Sequence, residues 1–186
     1  MVAEELRNET KPLRLSYYGQ CFRYEEFKKG RYREFYQYGV ELIGATGPLV
    51  EAEVIALAIN MLTEACLKNW ELRIGHVGVL KQVLTGIGLS EVSESGEPPL
   101  ASAMRLLDKE DFDGLQSLFE KQSISTEFIA PLQQLSELKG GQETIASARE
   151  LLSIMEGVSL EALDDLESTI KSIGQLLSLI HITEPT

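Results

Sequence analysis

Apolar and polar positions alternate in two segments near the start of the chain. Residues 13–25 (LRLSYYGQCFRYE) and 34–43 (EFYQYGVELI) are rich in aromatic residues, and the second also contains the β-branched Val40 and Ile43. The segment between them, 26–33, is charged and contains Gly30. Alternation with a period of two is typical of strands, and a charged segment with glycine is typical of a turn. The pattern therefore predicts a long β-hairpin.

The period of two also predicts which side chains share a face of this hairpin. One face combines charged and amide side chains with small residues, namely Gly19, Cys21, Arg23 and Glu25 of the first strand and Phe35, Gln37, Gly39 and Glu41 of the second. Burying unpaired charges is costly, and glycine in a strand often marks the close approach of a ligand. The face is therefore a candidate small-molecule site, with a plain solvent-facing surface as the alternative.

Helical periodicity dominates the remainder of the chain. Residues 49–68 predict an amphipathic helix, 70–78 (WELRIGHVG) a strand in which His76 is a packed residue, and 79–88 a short helix. The polar, Pro- and Gly-rich segment 90–100 is the best candidate for a linker. Four further segments begin near Ser, Gln or Ala and three of them end at Gly, which predicts a small acidic helical domain over 101–174 (101–122, 125–141, 142–157 and 159–174).

Charge is distributed unevenly along the chain. The net charge is −12, with 17 Lys and Arg against 29 Asp and Glu, but residues 1–44 hold 8 cations against 7 anions. Five cations fall within 23–33, and Arg or Lys at such density suits polyphosphate, although a solvated turn or a module touching nucleic acid nonspecifically would look similar. Overall acidity argues against general nucleic-acid coating.

No apolar run approaches the roughly 20 residues of a membrane span, and the polar start, MVAEELRNETK, is unlike a secretory signal. Cys21 and Cys66 are expected to be packed thiols, because no paired Cys or His spacing suggests a zinc site. The sequence therefore predicts no membrane association and a reducing, cytoplasmic location.

The segment LSYYGQCFRYEEFKKGRYREFYQYGVELIG, residues 15–44, resembles motif 2 of class II aminoacyl-tRNA synthetases in its histidine-specific form. The later stretches EAEVIALA, RIGHVGVLK and RLLDKEDFDGL resemble the archaeal type of histidyl-tRNA synthetase. The resemblance implies an α/β (α+β) fold, with the antiparallel sheet and flanking helices of that class and an all-helical insertion domain. It divides the chain into a partial catalytic core (1–90), an insertion (91–174) and a tail (175–186).

The resemblance also implies a role for each matching residue. Arg23 would contact the ATP α-phosphate and the histidine carboxylate as the catalytic residue. Glu25 would hold the adenine end of ATP and Phe35 would stack on the adenine, while Arg31 and Arg33 would reach the β- and γ-phosphates. Gln37 and Glu41 would bind histidine, and no protein residue is implied as a metal ligand. ATP with Mg²⁺, histidine and tRNA(His) are the implied substrates and partners, and the full-length protein would be a homodimer.

Two features depart from the family pattern. Glu26, Phe27 and Lys28 stand where the family usually has Arg-Pro-Gln, which affects the loop rather than the predicted ligand face. The chain also matches only an internal part of the family's sequence, so it is expected not to charge tRNA alone. The regulatory subunit of ATP phosphoribosyltransferase, which binds histidine without charging tRNA, shares the GRxREFxQxGVELIG pattern and is the alternative; the FRYE stretch and basic loop favour the synthetase.

The last ten residues, LSLIHITEPT, differ at one position from LSLIHISEPT, the translation of a common sequencing-library adapter. Residues 177–186 are therefore expected to lie outside the native sequence, and His181 is expected to carry no function.

Overall fold

The computed structural model describes residues 4–24, 26, 29–93, 96–155 and 157–182. Glu25, Phe27 and Lys28 lie outside the described residues, so the role predicted for Glu25 stays a prediction. The chain divides into two compact units, one formed by Met1–Lys68 with Ser172–Thr186 and the other by Asn69–Lys171. The first contains the strands and the second most of the helices.

The predicted β-hairpin is confirmed. Strands β1 (Leu13–Phe22) and β2 (Glu34–Ile43) form a two-stranded antiparallel sheet in which Leu13 pairs with Ile43 and Phe22 with Glu34. The pairing extends one step further, because the Arg23 N–H donates to the Arg33 carbonyl at 2.9 Å. Gly30, within the connecting segment, has a φ of 82°, which glycine adopts without a steric penalty.

Helix α1 (Pro48–Glu64) lies against the side of the hairpin that carries Arg14, Ser16, Tyr38, Val40 and Leu42, the even-numbered face. A cavity of about 250 Å³ is lined by Arg14, Ser16 and Val40 from the strands and by Glu53, Val54 and Leu57 from the helix. Leu15 and Glu41, which belong to the other face of the hairpin by their register, also contribute to its lining. Arg14 Nη2 lies 2.8 Å from Glu53 Oε2, and the Arg14 Nε donates to the other carboxylate oxygen. This hydrogen bond lowers the pKa of Glu53 and raises that of Arg14.

The strand predicted over 70–78 is wrong. Residues 70–76 are irregular, and helix α2 (Val77–Gly86) begins directly afterwards. A strand exists only where a neighbouring strand satisfies its backbone groups, and within the described residues β1 and β2 pair only with each other. His76 is half-buried and is the N-cap of α2, with its Nδ1 accepting from the Gly78 N–H at 3.0 Å. This contact is structural, but it is not the packing between a strand and a helix that the sequence predicted.

The four segments predicted to be helical are confirmed as helical, with one division. They form α3 (Pro99–Asp108), α4 (Phe112–Lys121), α5 (Ile129–Glu137) after a short 3₁₀ turn (Thr126–Phe128), α6 (Glu143–Ser153) and α7 (Glu161–Ile182). The segment 101–122 divides because Glu110 adopts a φ of 55° and the Asp111 side chain accepts from the Gly114 N–H at 2.9 Å, which starts a new helix.

The hydrophobic core lies within the second unit. Its fully buried side chains include Val83, Leu84, Leu115, Phe119 and Leu132. The hairpin instead exposes large apolar side chains, including Tyr18 (71%), Phe22 (72%) and Tyr36 (64%). The site-bearing hairpin therefore draws its order from strand pairing and from α1.

In the part of the chain that is described, no helix is both long and apolar enough to cross a membrane. Helix α7 runs through residue 175 to Ile182. The domain boundaries at 90/91 and 174/175, and the non-native origin of the tail, stay predictions.

Candidate functional site

The strand register places the predicted ligand-binding side chains on one face of the hairpin. Cys21 pairs with Phe35, Gly19 with Gln37, Tyr17 with Gly39 and Leu15 with Glu41. Residues directly opposite each other in an antiparallel pair share a face. The face predicted from the period of two is therefore confirmed for the described residues, and we refer to this set, with Arg23, as the odd-numbered face.

Arg23 and Phe35 lie next to each other at the loop end of this face. The Arg23 Cζ is 5.7 Å from the centroid of the Phe35 ring, within the range of a cation–π interaction. These are the residues predicted to hold the α-phosphate and to stack on adenine. The side chain predicted to bind the α-phosphate of ATP therefore lies next to the side chain predicted to stack on its adenine.

An open concavity of about 800 Å³ lies at the loop end of the hairpin. Its lining includes the cations Lys29, Arg31 and Arg33, the carboxylate of Glu34 and the ring of Phe35. The Arg33 guanidinium also lies over the Tyr24 ring, with Cζ 4.6 Å from the ring centroid. Three cations around one concavity are chemically suited to the phosphate chain of a nucleotide.

Gln37 is held by a residue that the sequence did not single out. Its Nε2 donates a hydrogen bond of 2.6 Å to the Tyr17 hydroxyl, and the Tyr17 ring lies directly over Gly39. The sequence pattern places Tyr17 in the first strand but assigns it no role in the site. The pairing of Tyr17 with Gly39 would have revealed the contact, but the alternation pattern does not give the register.

Gly19 and Glu41 mark the rest of the odd-numbered face. Gly19 pairs with Gln37, and a Cβ placed on it would meet no atom within 4 Å, so the space above it is open. Glu41 is exposed and lies two residues beyond Gly39 on β2. Open space beside the Gln37 amide can accept a ligand that carries N–H donors.

A second concavity, of about 650 Å³, lies in the helical unit between α6 and α7. Arg149 crosses it with Nη1 2.7 Å from Asp164 and Nη2 2.8 Å from Glu167, and Lys171 also pairs with Glu167. The hydrogen bonds that Lys171 and Arg149 donate to Glu167 lower the pKa of that carboxyl group. The hydrogen bonds that Arg149 donates to Asp164 and Glu167 raise the pKa of its guanidinium. Asp164 and Glu167 therefore connect α7 to α6 through Arg149.

Comparison with known proteins places this geometry in context. The family model described as histidyl-tRNA synthetase matches residues 1–183. A histidine–tRNA ligase of Methanococcus maripaludis (strain C6) is 42% identical over 171 residues, which is 91% of this chain and 39% of the relative. The histidine–tRNA ligase of Archaeoglobus fulgidus is 39% identical over 164 residues, covering 88% of this chain and 37% of the relative.

A solved structure with a similar fold is the crystal structure of an ATP phosphoribosyltransferase regulatory subunit/histidyl-tRNA synthetase from Bacillus halodurans C. The TM-score is 0.69 at 28% identity, and the match covers 97% of this chain and 43% of that one. The description of this structure names both functions considered from the sequence, so it favours neither. The chain spans about 39% of the length of the first of the curated relatives it matches. Because the family model matches nearly the whole length of this chain, the chain belongs to the histidyl-tRNA synthetase family.

Proposed function

We propose that this chain forms the motif 2 part of a histidine–tRNA ligase, in which the odd-numbered face binds ATP and histidine side by side. The observation that carries the proposal is the register, which aligns Phe35, Gln37 and Glu41 on one face with Arg23 beside Phe35. The many ligases among its relatives support the synthetase over the regulatory subunit of ATP phosphoribosyltransferase.

The reaction requires alignment and positive charge rather than a protein nucleophile. The histidine carboxylate attacks the α-phosphorus of ATP, pyrophosphate leaves, and histidyl-adenylate forms; a terminal ribose hydroxyl of tRNA(His) then takes the acyl group and AMP leaves. Arg23 would stabilise the charge that builds on the α-phosphate and hold the attacking carboxylate in line. Phe35 would stack on adenine, and Glu25 would hold its polar edge.

Arg31 and Arg33 would bind the β- and γ-phosphates, and their place around the loop concavity supports this role. Mg²⁺ would be held by the phosphate oxygens of ATP and supply additional positive charge there. The residues that we assign to the phosphates of ATP are all cations, which suits the anionic end of the nucleotide.

Gln37 and Glu41 would bind the substrate histidine by its N–H groups. An amide oxygen and a carboxylate are acceptors for an ammonium or an imidazole N–H. We further propose that the helical segments between 91 and 174 are the insertion domain of the family, that the whole protein is a homodimer, and that it works on tRNA(His) in the cytoplasm.

The proposal is tested in a chimera in which this chain replaces the matching segment of the Methanococcus maripaludis ligase. We expect the chimera to catalyse histidine-dependent exchange of pyrophosphate into ATP. Arg23→Gln should reduce kcat by about 10²- to 10³-fold, the range for losing one transition-state charge donor. The matched control is Arg73→Gln, since Arg73 pairs with Glu71, two residues away, in the helical unit.

Histidine binding without any pyrophosphate exchange would favour the regulatory-subunit alternative. An Arg23→Gln chimera with unchanged kcat would contradict the role of Arg23. Absence of both histidine binding and exchange would overturn the synthetase proposal itself.

A further inference from the structure

The Tyr17 ring lies between the two residues proposed to bind histidine. A Cβ at Gly39 would come within 2.1 Å of the Tyr17 Cζ, so only glycine lets the ring lie this close to β2. Gln37 and Glu41 are each two residues from Gly39, about 7 Å along the strand, and point to the same side. The ring therefore forms a floor between Gln37 and Glu41.

The hydroxyl of this ring fixes the orientation of the Gln37 amide. Gln37 is half-buried, and its Nε2 donates to Tyr17 Oη at 2.6 Å. An amide carries its donor and its acceptor on the same carbon, so engaging Nε2 determines the direction of Oε1. An Oε1 fixed in this way suits an N–H donor such as an ammonium or imidazole and disfavours a ligand that presents only acceptors.

We propose that Tyr17 is a positioning residue for the substrate histidine, which holds Gln37 so that the amide oxygen faces the ligand. The inference rests on the proposed function, because it assumes that Gln37 binds histidine. It adds Tyr17 to that site and explains what orients the Gln37 amide. Gly39 contributes to the same arrangement, because only glycine leaves room for the Tyr17 ring.

The test compares Tyr17→Phe with Tyr18→Phe in the chimera described above. Tyr18 is a matched control, because it is the adjacent tyrosine on the opposite face and stacks on Tyr36 with ring centroids 5.4 Å apart. Tyr17→Phe keeps the ring but removes the hydroxyl, and should raise the KM for histidine roughly threefold to tenfold, the value of one hydrogen bond. The KM for ATP and the kcat should stay unchanged, as should all constants of Tyr18→Phe.

Two further variants separate positioning from a general loss of structure. Adding Tyr17→Phe to Gln37→Ala should raise the histidine KM no further than Gln37→Ala alone, because the hydroxyl would act through Gln37. Gly39→Ala should displace the ring and also raise the histidine KM. The NMR signals of the Gln37 side-chain amide in the unliganded chain should shift in Tyr17→Phe and not in Tyr18→Phe.

An active chimera whose histidine KM is unaffected by Tyr17→Phe would overturn the inference and leave the proposed function standing. Additive effects of Tyr17→Phe and Gln37→Ala would overturn it as well. A wild-type chimera without histidine-dependent exchange would overturn the proposed function, and the inference with it, so activity of the wild type distinguishes the two failures.

Discussion

At the scale of single residues, two glycines on one face have different physical roles. Gly39 is required by the protein itself, because the Tyr17 ring occupies the space of its missing side chain. Gly19 is not required in this sense, since a Cβ there would meet nothing within 4 Å and its backbone is not left-handed. A glycine at position 19 is explained if a ligand occupies the open space above it, beside Gln37.

This difference leads to a prediction for Gly19→Ala. The hairpin should keep its stability, since alanine fits the strand backbone and glycine weakens a strand. The added methyl group should displace the ligand and reduce kcat/KM for histidine or ATP by on the order of tenfold, measured by pyrophosphate exchange in the chimera. Gly75→Ala is the control, because a Cβ there also meets no atom within 4 Å but lies in the other unit. Unchanged kinetics in Gly19→Ala would place the ligand elsewhere.

At the scale of elements, the Arg14–Glu53 pair joins strand β1 to helix α1. Hydrogen bonding to Arg14 lowers the folded-state pKa of Glu53 below its ordinary value. A depressed carboxyl pKa contributes stability that is present above the unfolded-state pKa and is lost as the pH falls through the folded-state pKa. The packing of α1 on the hairpin should therefore weaken on acidification below the ordinary range of a glutamate.

Glu53→Gln should abolish this part of the acid dependence, because a neutral amide cannot titrate. The measurement is tyrosine near-UV circular dichroism during an acid titration of the wild type and the variant. Glu64→Gln, which alters an exposed carboxylate at the end of the same helix, should titrate like the wild type. Superimposable curves for Glu53→Gln and the wild type would show that the pair does not hold the helix in place.

The elements that the sequence predicted correctly are those whose signal is local. The alternation of Tyr17 through Arg23 and of Phe35 through Glu41 was enough to predict the hairpin and the set of side chains on its odd-numbered face. The break at Glu110 was missed, because the left-handed residue there is not glycine and the apolar periodicity continues across it. Residues 70–78 have the composition of a strand, but composition does not supply a pairing partner. The bond between Tyr17 and Gln37 depends on register, which a single sequence does not contain.

At the scale of the whole molecule, apolar burial is concentrated in one of the two units. Leu84, Leu115 and Phe119 are fully buried in the helical unit, whereas Tyr18 and Phe22 of the hairpin are largely exposed. A two-stranded hairpin is marginally stable unless further strands or helices pack on it. The chain also spans only about 39% of its first curated relative, so the relative contains more structure that can cover such a surface.

Hydrogen exchange should reveal this difference as separate levels of protection. In the chain alone, backbone amides of residues 13–22 and 34–43 should exchange faster than those of 79–89 and 115–119 by about a hundredfold, because local opening costs less where little apolar surface is buried. In the chimera with the Methanococcus maripaludis ligase, the hairpin should gain protection while the helical core stays unchanged, as measured by mass spectrometry of peptides from both proteins. Equal protection of the hairpin in the two proteins would mean that strand pairing and α1 already supply all of its stability. The exposed aromatic side chains would then not pack against the rest of a synthetase.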